Sequence, residues 1–225
     1  TEQQPIVLRA ARRGEVVIRS TAVETFVIAG AYWIVEGLDI QGTCQPQEMC
    51  EHAFHIVGDA DNVIIRNNRA RDFNATIKSN GMDDVRQYGS AASGKARVFP
   101  DNVLISGNYF FNTTARPTTA PVTLMDVVGG KNWVIRENLV ADFEKSEGNL
   151  TSYALFLKGN SRNGTIERNL VICEWNHAGG SRIGISLGGG GSGPPKICED
   201  RDCTIEHTNG IIRNNIVLNC ARDVG

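Results

Sequence analysis

Two lysines stand in matching strings, Ile77-Lys78-Ser79-Asn80 and Leu157-Lys158-Gly159-Asn160, and Asp126 lies between them in Met125-Asp126-Val127-Val128. Lysine suits two tasks in chemistry at a carboxylated carbon. A neutral amine takes a proton, which it does best when desolvation or a nearby cation lowers its pKa, and an ammonium neutralises the negative charge that develops. Arg182 is a third candidate cation, for proton donation or a carboxylate clamp. His55 and Tyr153 can supply an acid, and Asp126 and Phe156 complete a polar and aromatic binding surface. The plain alternative is that exposed strands carry lysines as solvated charges that discourage aggregation.

Such residues act together only if the fold stacks them. Five times the chain places an asparagine, an isoleucine three residues on and a second asparagine six residues on: Asn62 to Asn68, Asn102 to Asn108, Asn132 to Asn138, Asn163 to Asn169 and Asn209 to Asn215. The isoleucines are Ile65, Ile105, Ile135, Ile166 and Ile212, and each is followed by a polar residue, so one face is buried and the other wet. The closing asparagines are 40, 30, 31 and 46 residues apart, a period that belongs to solenoids. Short Val/Ile runs broken by Asn, Gly and Asp argue for strands rather than helices. Asparagines aligned in successive coils can bond amide to amide and tolerate left-handed turns. The expectation is an all-β, single-domain parallel β-helix across 1–225, with insertions at 74–101 and 188–208.

A second strand aligns by its ending: Phe54 to Gly58, Met125 to Gly129, Leu155 to Gly159 and Gly184 to Gly188, with Ala75 to Ser79 in the coil between the first two. With Ile56, Ile77, Val127 and Leu157 inward, alternation predicts two outward columns. One holds His55, Thr76, Asp126, Phe156 and Ile185; the other holds Val57, Lys78, Val128, Lys158 and Leu187. Lys78 and Lys158 are then two coils apart, roughly 10 Å.

Composition narrows the partners. The net charge of −2 gives no basic footprint for nucleic acid, and no run of 18 apolar residues is present to span a bilayer. Cys44 and Cys50 bracket one loop, Cys198 and Cys203 another, and Cys173 and Cys220 fall one coil apart; disulfides fit this spacing better than zinc, and imply a secreted or periplasmic protein. The chain starts within a strand pattern and ends without a polar cap, which suggests a piece of a longer solenoid. His52 and His55 are three apart on one strand, His177 and His207 lie in loops, and no pair has metal spacing backed by an acid. The run Gly188 to Gly191 lacks the ending of a phosphate loop.

The chain resembles the pectate-lyase-like superfamily of right-handed β-helices. Pro5 to Ala11, Gly14 to Ile18 and Trp33 to Leu38 look like the first coils of polysaccharide lyase family six, the chondroitinase B and alginate lyase group, and Leu157-Lys158-Gly159-Asn160 resembles that family's catalytic segment. The resemblance implies an acidic polysaccharide partner and cleavage by β-elimination, with Lys158 as the base that removes the C5 proton of a uronic acid. It also implies Ca2+ on acidic residues a few places earlier, where this chain has Thr151 and Tyr153, and an arginine about one coil later, for which Arg182 is the candidate. A rival resemblance joins Gly184-Ile185-Ser186-Leu187-Gly188 to the polygalacturonases of glycoside hydrolase family 28. There Asp126 with Asp83 or Asp84 would form the carboxyl pair, but Ile183 replaces the histidine and the Asn-Thr-Asp string is missing. A third possibility is a non-catalytic carbohydrate-binding scaffold.

Overall fold

The computed structural model describes residues 1–83, 97–189 and 191–224. It is all-β, and the chain visits three parallel seven-stranded sheets in rotation. The first sheet holds Ile6–Arg9, Trp33–Glu36, Ile64–Arg66, Leu104–Ser106, Val134–Arg136, Thr165–Glu167 and Ile211–Arg213. The second begins at Val17–Ser20 and ends at Ile216–Leu218; the third runs from Glu24–Ile28 to Arg222–Val224. Parallel sheets visited in this order, with strands three to eight residues long, are compatible with a parallel β-helix.

The five isoleucines share one row. Ile65, Ile105, Ile135, Ile166 and Ile212 pair successively; the first four are 0% exposed, and Ile212 packs against the same apolar cluster. Phe54, Phe73, Phe110, Phe143 and Trp133 fill the space between the sheets.

The two asparagines of each repeat have different tasks. The opening ones, Asn62, Asn102, Asn132, Asn163 and Asn209, have φ between 56° and 60°, where an L-residue is unfavourable and Asn is the best tolerated after Gly. Their amides form an outer ladder, Asn132 to Asn102 at 2.8 Å and Asn163 to Asn132 at 3.2 Å. The closing ones point inward. Asn68, Asn108, Asn138 and Asn169 each donate Nδ2 to the Oδ1 of the next coil's asparagine at 2.9–3.2 Å. Each also donates to a main-chain carbonyl of the preceding coil, as Asn138 does to Ile105 O at 3.0 Å. Every Oδ1 in turn accepts a main-chain N–H, so these buried amides are satisfied.

The predicted cysteine pairs form three disulfides: Cys44–Cys50, Cys173–Cys220 and Cys198–Cys203. The excursion after Asn80 starts with a short antiparallel pair, Met82–Asp83 with Arg97–Val98; the rest of it lies outside the described residues. The 188–208 excursion is pinned by acids. Glu206 accepts from Gly159 N at 2.7 Å and from Ser192 N at 2.6 Å, and Glu199 accepts from Gly130 N at 3.0 Å and Arg162 at 2.6 Å.

Asn138→Ala leaves several buried donors and acceptors unmatched and is expected to lower unfolding free energy by about 3 kcal/mol. Asn132→Gly, at an exposed left-handed position, is expected to change it by less than about 1 kcal/mol. Urea denaturation of the two variants checks the contrast.

Candidate functional site

The third sheet is bent along its whole height. Its ladder skips Thr25/Ala53, Ala53/Thr76, Leu124/Ala154 and Ala154/Gly184. At that level the side chain turns inward together with the next one: Ala53 and Phe54, Leu124 and Met125, and Ala154 and Leu155 all belong to the core. Two successive inward residues break strict alternation. Residues three apart across the bend therefore emerge on the same outer face, as His52 with His55 and Tyr153 with Phe156 do.

The bend and its register correct the expected columns. The Ala75–Asn80 strand pairs Lys78 with His55 and Asp126, two residues from the expected alignment, so Lys78 sits in Asp126's column and not in that of Lys158. Thr76 is buried at the bend. The signal for this register was Gly81, the counterpart of Gly58. Likewise Phe156 pairs with Ser186, and Ile185 is fully buried rather than outward; Gly188 follows its strand one residue sooner than Gly159 does, so aligning the glycines shifts the strand by one.

The three residues on which the site depends converge. Asp126 Oδ2 accepts from Lys78 Nζ at 2.5 Å, and Asp126 Oδ1 lies 3.0 Å from Lys158 Nζ, without hydrogen-bond alignment. One lysine reaches Asp126 along its own column from the coil before; the other reaches diagonally from the coil after. Burial pushes the Asp126 pKa up, but the two ammonium groups outweigh it and hold the carboxyl below its ordinary value. Two cations around one carboxylate leave an excess positive charge.

Lys158 also lies over the Phe156 ring, 4.4 Å from its centroid, a cation–π contact. Phe156 is only 2% exposed and forms the floor beneath the lysine, while the partly exposed Tyr153 stands beside it with ring centroids 4.7 Å apart. Tyr153, Phe156 and Lys158 line a cavity of about 190 Å³ together with Thr151, Asn149 and Lys145.

Lys145 had no signal in the repeat pattern. It is 4% exposed, its Nζ donates to Thr119 O at 3.4 Å, and among the described residues it has no ion pair. Burial lowers its pKa.

Arg182 is not brought to this cavity. It is 1% exposed and paired inward, with Nη2 on Glu144 Oε2 at 2.8 Å, Nε on Gly179 O at 2.9 Å and Nη1 on Cys173 O, so it ties the last turns together. His55 stands one coil from Lys78, between Glu24 and Asn80. Its neighbour across the bend, His52, lies near the same Glu24, so the histidine pair does have an acid behind it, contrary to expectation. In a flat strand the two rings would face opposite sides. Asp84 and the Asp83 side chain lie outside the described residues. Thr151 and Tyr153, at the places implied for calcium ligands, offer hydroxyls, and the described residues that line the cavity include two ammonium groups, Lys145 and Lys158, and no carboxylate. They do not fit Ca2+, whose ligands are oxygens, carboxylates above all.

Comparison of the chain with known protein families, characterised proteins and solved structures finds no match.

Asp126→Asn is expected to destabilise the protein at neutral pH by about 3 kcal/mol, because two ammonium groups lose their counter-charge. The folded-state pKa of Asp126 is depressed, so its stabilisation is present above the ordinary value of 3.8 and is lost as pH falls through the lower folded value. The difference between wild type and variant should shrink in acid. Denaturation at a series of pH values measures it.

Proposed function

We propose that the protein is a right-handed parallel β-helix of the pectate-lyase-like kind, exported to an oxidising compartment, whose third-sheet face binds an acidic polysaccharide and cleaves it by β-elimination at a uronic acid. The observation that carries this reading is the meeting of Lys158, Lys145 and Tyr153 around one cavity, with Asp126 and Lys78 directly behind. The three disulfides support an oxidising compartment.

The chemistry divides among these groups. The substrate carboxylate pairs with Lys158, which stabilises the charge that develops on that carboxylate as the adjacent C5–H bond breaks. Lys145, desolvated and without a carboxylate partner among the described residues, accepts the C5 proton. The electron pair forms the C4–C5 double bond as the C4–O4 bond breaks, and the Tyr153 hydroxyl protonates the departing oxygen. Lys78 fixes Asp126, and so fixes where Lys158 can reach. Lys145, which the sequence pattern did not mark, thus takes the role expected of Lys158, and Arg182 has none in the reaction.

The hydrolase reading needs a free carboxyl pair, and Asp126 is engaged by two lysines. A binding scaffold remains the alternative that an assay must exclude. Incubation with alginate, chondroitin and pectate should produce the ultraviolet absorbance of an unsaturated uronate on at least one polymer. New reducing ends without it would establish a hydrolase; binding with neither would establish a scaffold. With the polymer that responds, Lys145→Met is expected to lower kcat by roughly 10²- to 10⁴-fold, whereas Lys158→Met should raise KM as well. Loss of both kinetic effects in folded variants would refute the assigned roles.

A further inference from the structure

The geometry points to a binding site for a divalent first-row transition cation, Zn2+ being the simplest case, formed by Glu24, His52 and His55. One donor atom from each lies within 4.8 Å of the other two. The bend at Ala53 puts both imidazoles on the outer face, with ring centroids 5.0 Å apart, and in-register stacking places Glu24 beside His52 in the preceding coil. Glu24 Oε1 is 2.7 Å from His55 Nδ1 and 3.7 Å from His52 Nε2. These spacings bracket the separation of about 3.3 Å that two ligands of a tetrahedral zinc ion subtend.

Hydrogen-bond accounting supplies a second, independent reason. Asn80 donates Nδ2 to Gly81 O at 3.1 Å, which turns its Oδ1 toward His55 Nε2 at 2.7 Å. Oδ1 only accepts, so His55 Nε2 must carry the hydrogen. In a neutral ring Nδ1 is then a bare lone pair, and it faces a carboxylate oxygen at 2.7 Å. Two acceptors at that distance need a cation between them, either a proton or a metal ion. Asn80 meanwhile has the place of the outer partner that fixes the tautomer of a metal-bound histidine.

The second imidazole favours the metal: a proton shared by His55 and Glu24 makes no use of His52, whose Nε2 lies 3.7 Å from the same Glu24 oxygen, whereas one ion is held by all three groups. Two imidazoles and one carboxylate suit zinc and its neighbours rather than Ca2+ or Mg2+. Three protein ligands leave a fourth position for water, and the partial exposure of Glu24, whose side chain is 32% exposed, gives water access. Lys78, in the next coil of His55's column, is engaged by Asp126 at 2.5 Å, which limits its repulsion of the ion. The site is separate from the cavity around Lys145 and stands whether or not that cavity processes a uronate.

The test uses the intact, disulfide-bonded protein after chelator treatment and dialysis. Calorimetric titration with Zn2+ should give one equivalent bound, and Co2+ should give visible absorption of four-coordinate type. In NMR spectra the ring signals of His52 and His55 should shift with Zn2+ while those of His177 and His207 do not. Glu24→Gln and His55→Gln should each weaken binding at least tenfold, and His177→Ala should leave it unchanged. Absence of Zn2+ and Co2+ binding overturns the inference, as does binding that leaves the His52 and His55 signals in place. The NMR arm needs no variant, so it decides the matter even if a substitution impairs folding.

Discussion

Registry between successive coils is the constraint on which the rest of the molecule depends. Residues 30 to 46 positions apart in the chain become neighbours at the strand spacing of about 4.8 Å, and nearly every contact that matters is of this kind. Strand hydrogen bonds alone do not choose a register, because a slip by two residues preserves both pairing and face. The buried asparagines do choose it. Asn68, Asn108, Asn138, Asn169 and Asn215 must meet amide to amide, and each must also find a fixed main-chain carbonyl. A slipped coil would strand these groups without water, at about 1–3 kcal/mol for each unmatched group. The isoleucine row beside them adds packing that is indifferent to small shifts, so specificity comes from the polar row and bulk stabilisation from the apolar one.

On that frame, the bend in the third sheet makes the functional face. A flat strand presents every second residue outward, which would separate His52 from His55 and Tyr153 from Phe156. The inward turn at Ala53 and Ala154 reverses the alternation once per coil, and because the coils are in register the reversal stacks into a crease. One side of the crease carries Glu24, His52, Thr123 and Tyr153; the other carries His55, Lys78, Asp126 and Phe156. Both candidate sites use residues from both sides. The residues at the crease are mainly small or β-branched, as suits side chains that enter a crowded core beside a large neighbour.

Electrostatics then distinguish the lysines. Lys78 and Lys158 share one nearly buried carboxylate, an arrangement that is stable only while all three are present. Lys145 is desolvated, its amine donates to a carbonyl and among the described residues it pairs with no carboxylate, and that environment, rather than its position in a repeat, sets it apart. Arg182 shows the converse: an arginine at the right place in the chain whose guanidinium is consumed by Glu144 and two carbonyls.

Much of the architecture was legible in the amino-acid sequence by itself. The asparagine and isoleucine spacing pointed to an all-β chain stacked in parallel and to the isoleucine row of its core, because both follow from a short local pattern repeated at a regular interval, and the cysteine pairs followed from their places around two loops and one coil apart. It also singled out Lys78, Asp126 and Lys158, whose strand positions make them outward-facing. What only the tertiary structure decided was the alignment of the third strands and everything that depends on it. Their ends carry no asparagine repeated in register to set the alignment, the inward turn has no local signature that alternation would reveal, and the partners of Lys145 and His55, and the Glu144 that pairs with Arg182, lie in other coils. Proximity across coils is a property of the stack: Glu24 and His52 are 28 residues apart in the chain but adjacent in register, and no pattern within either strand records that the bend brings His55 to the same face.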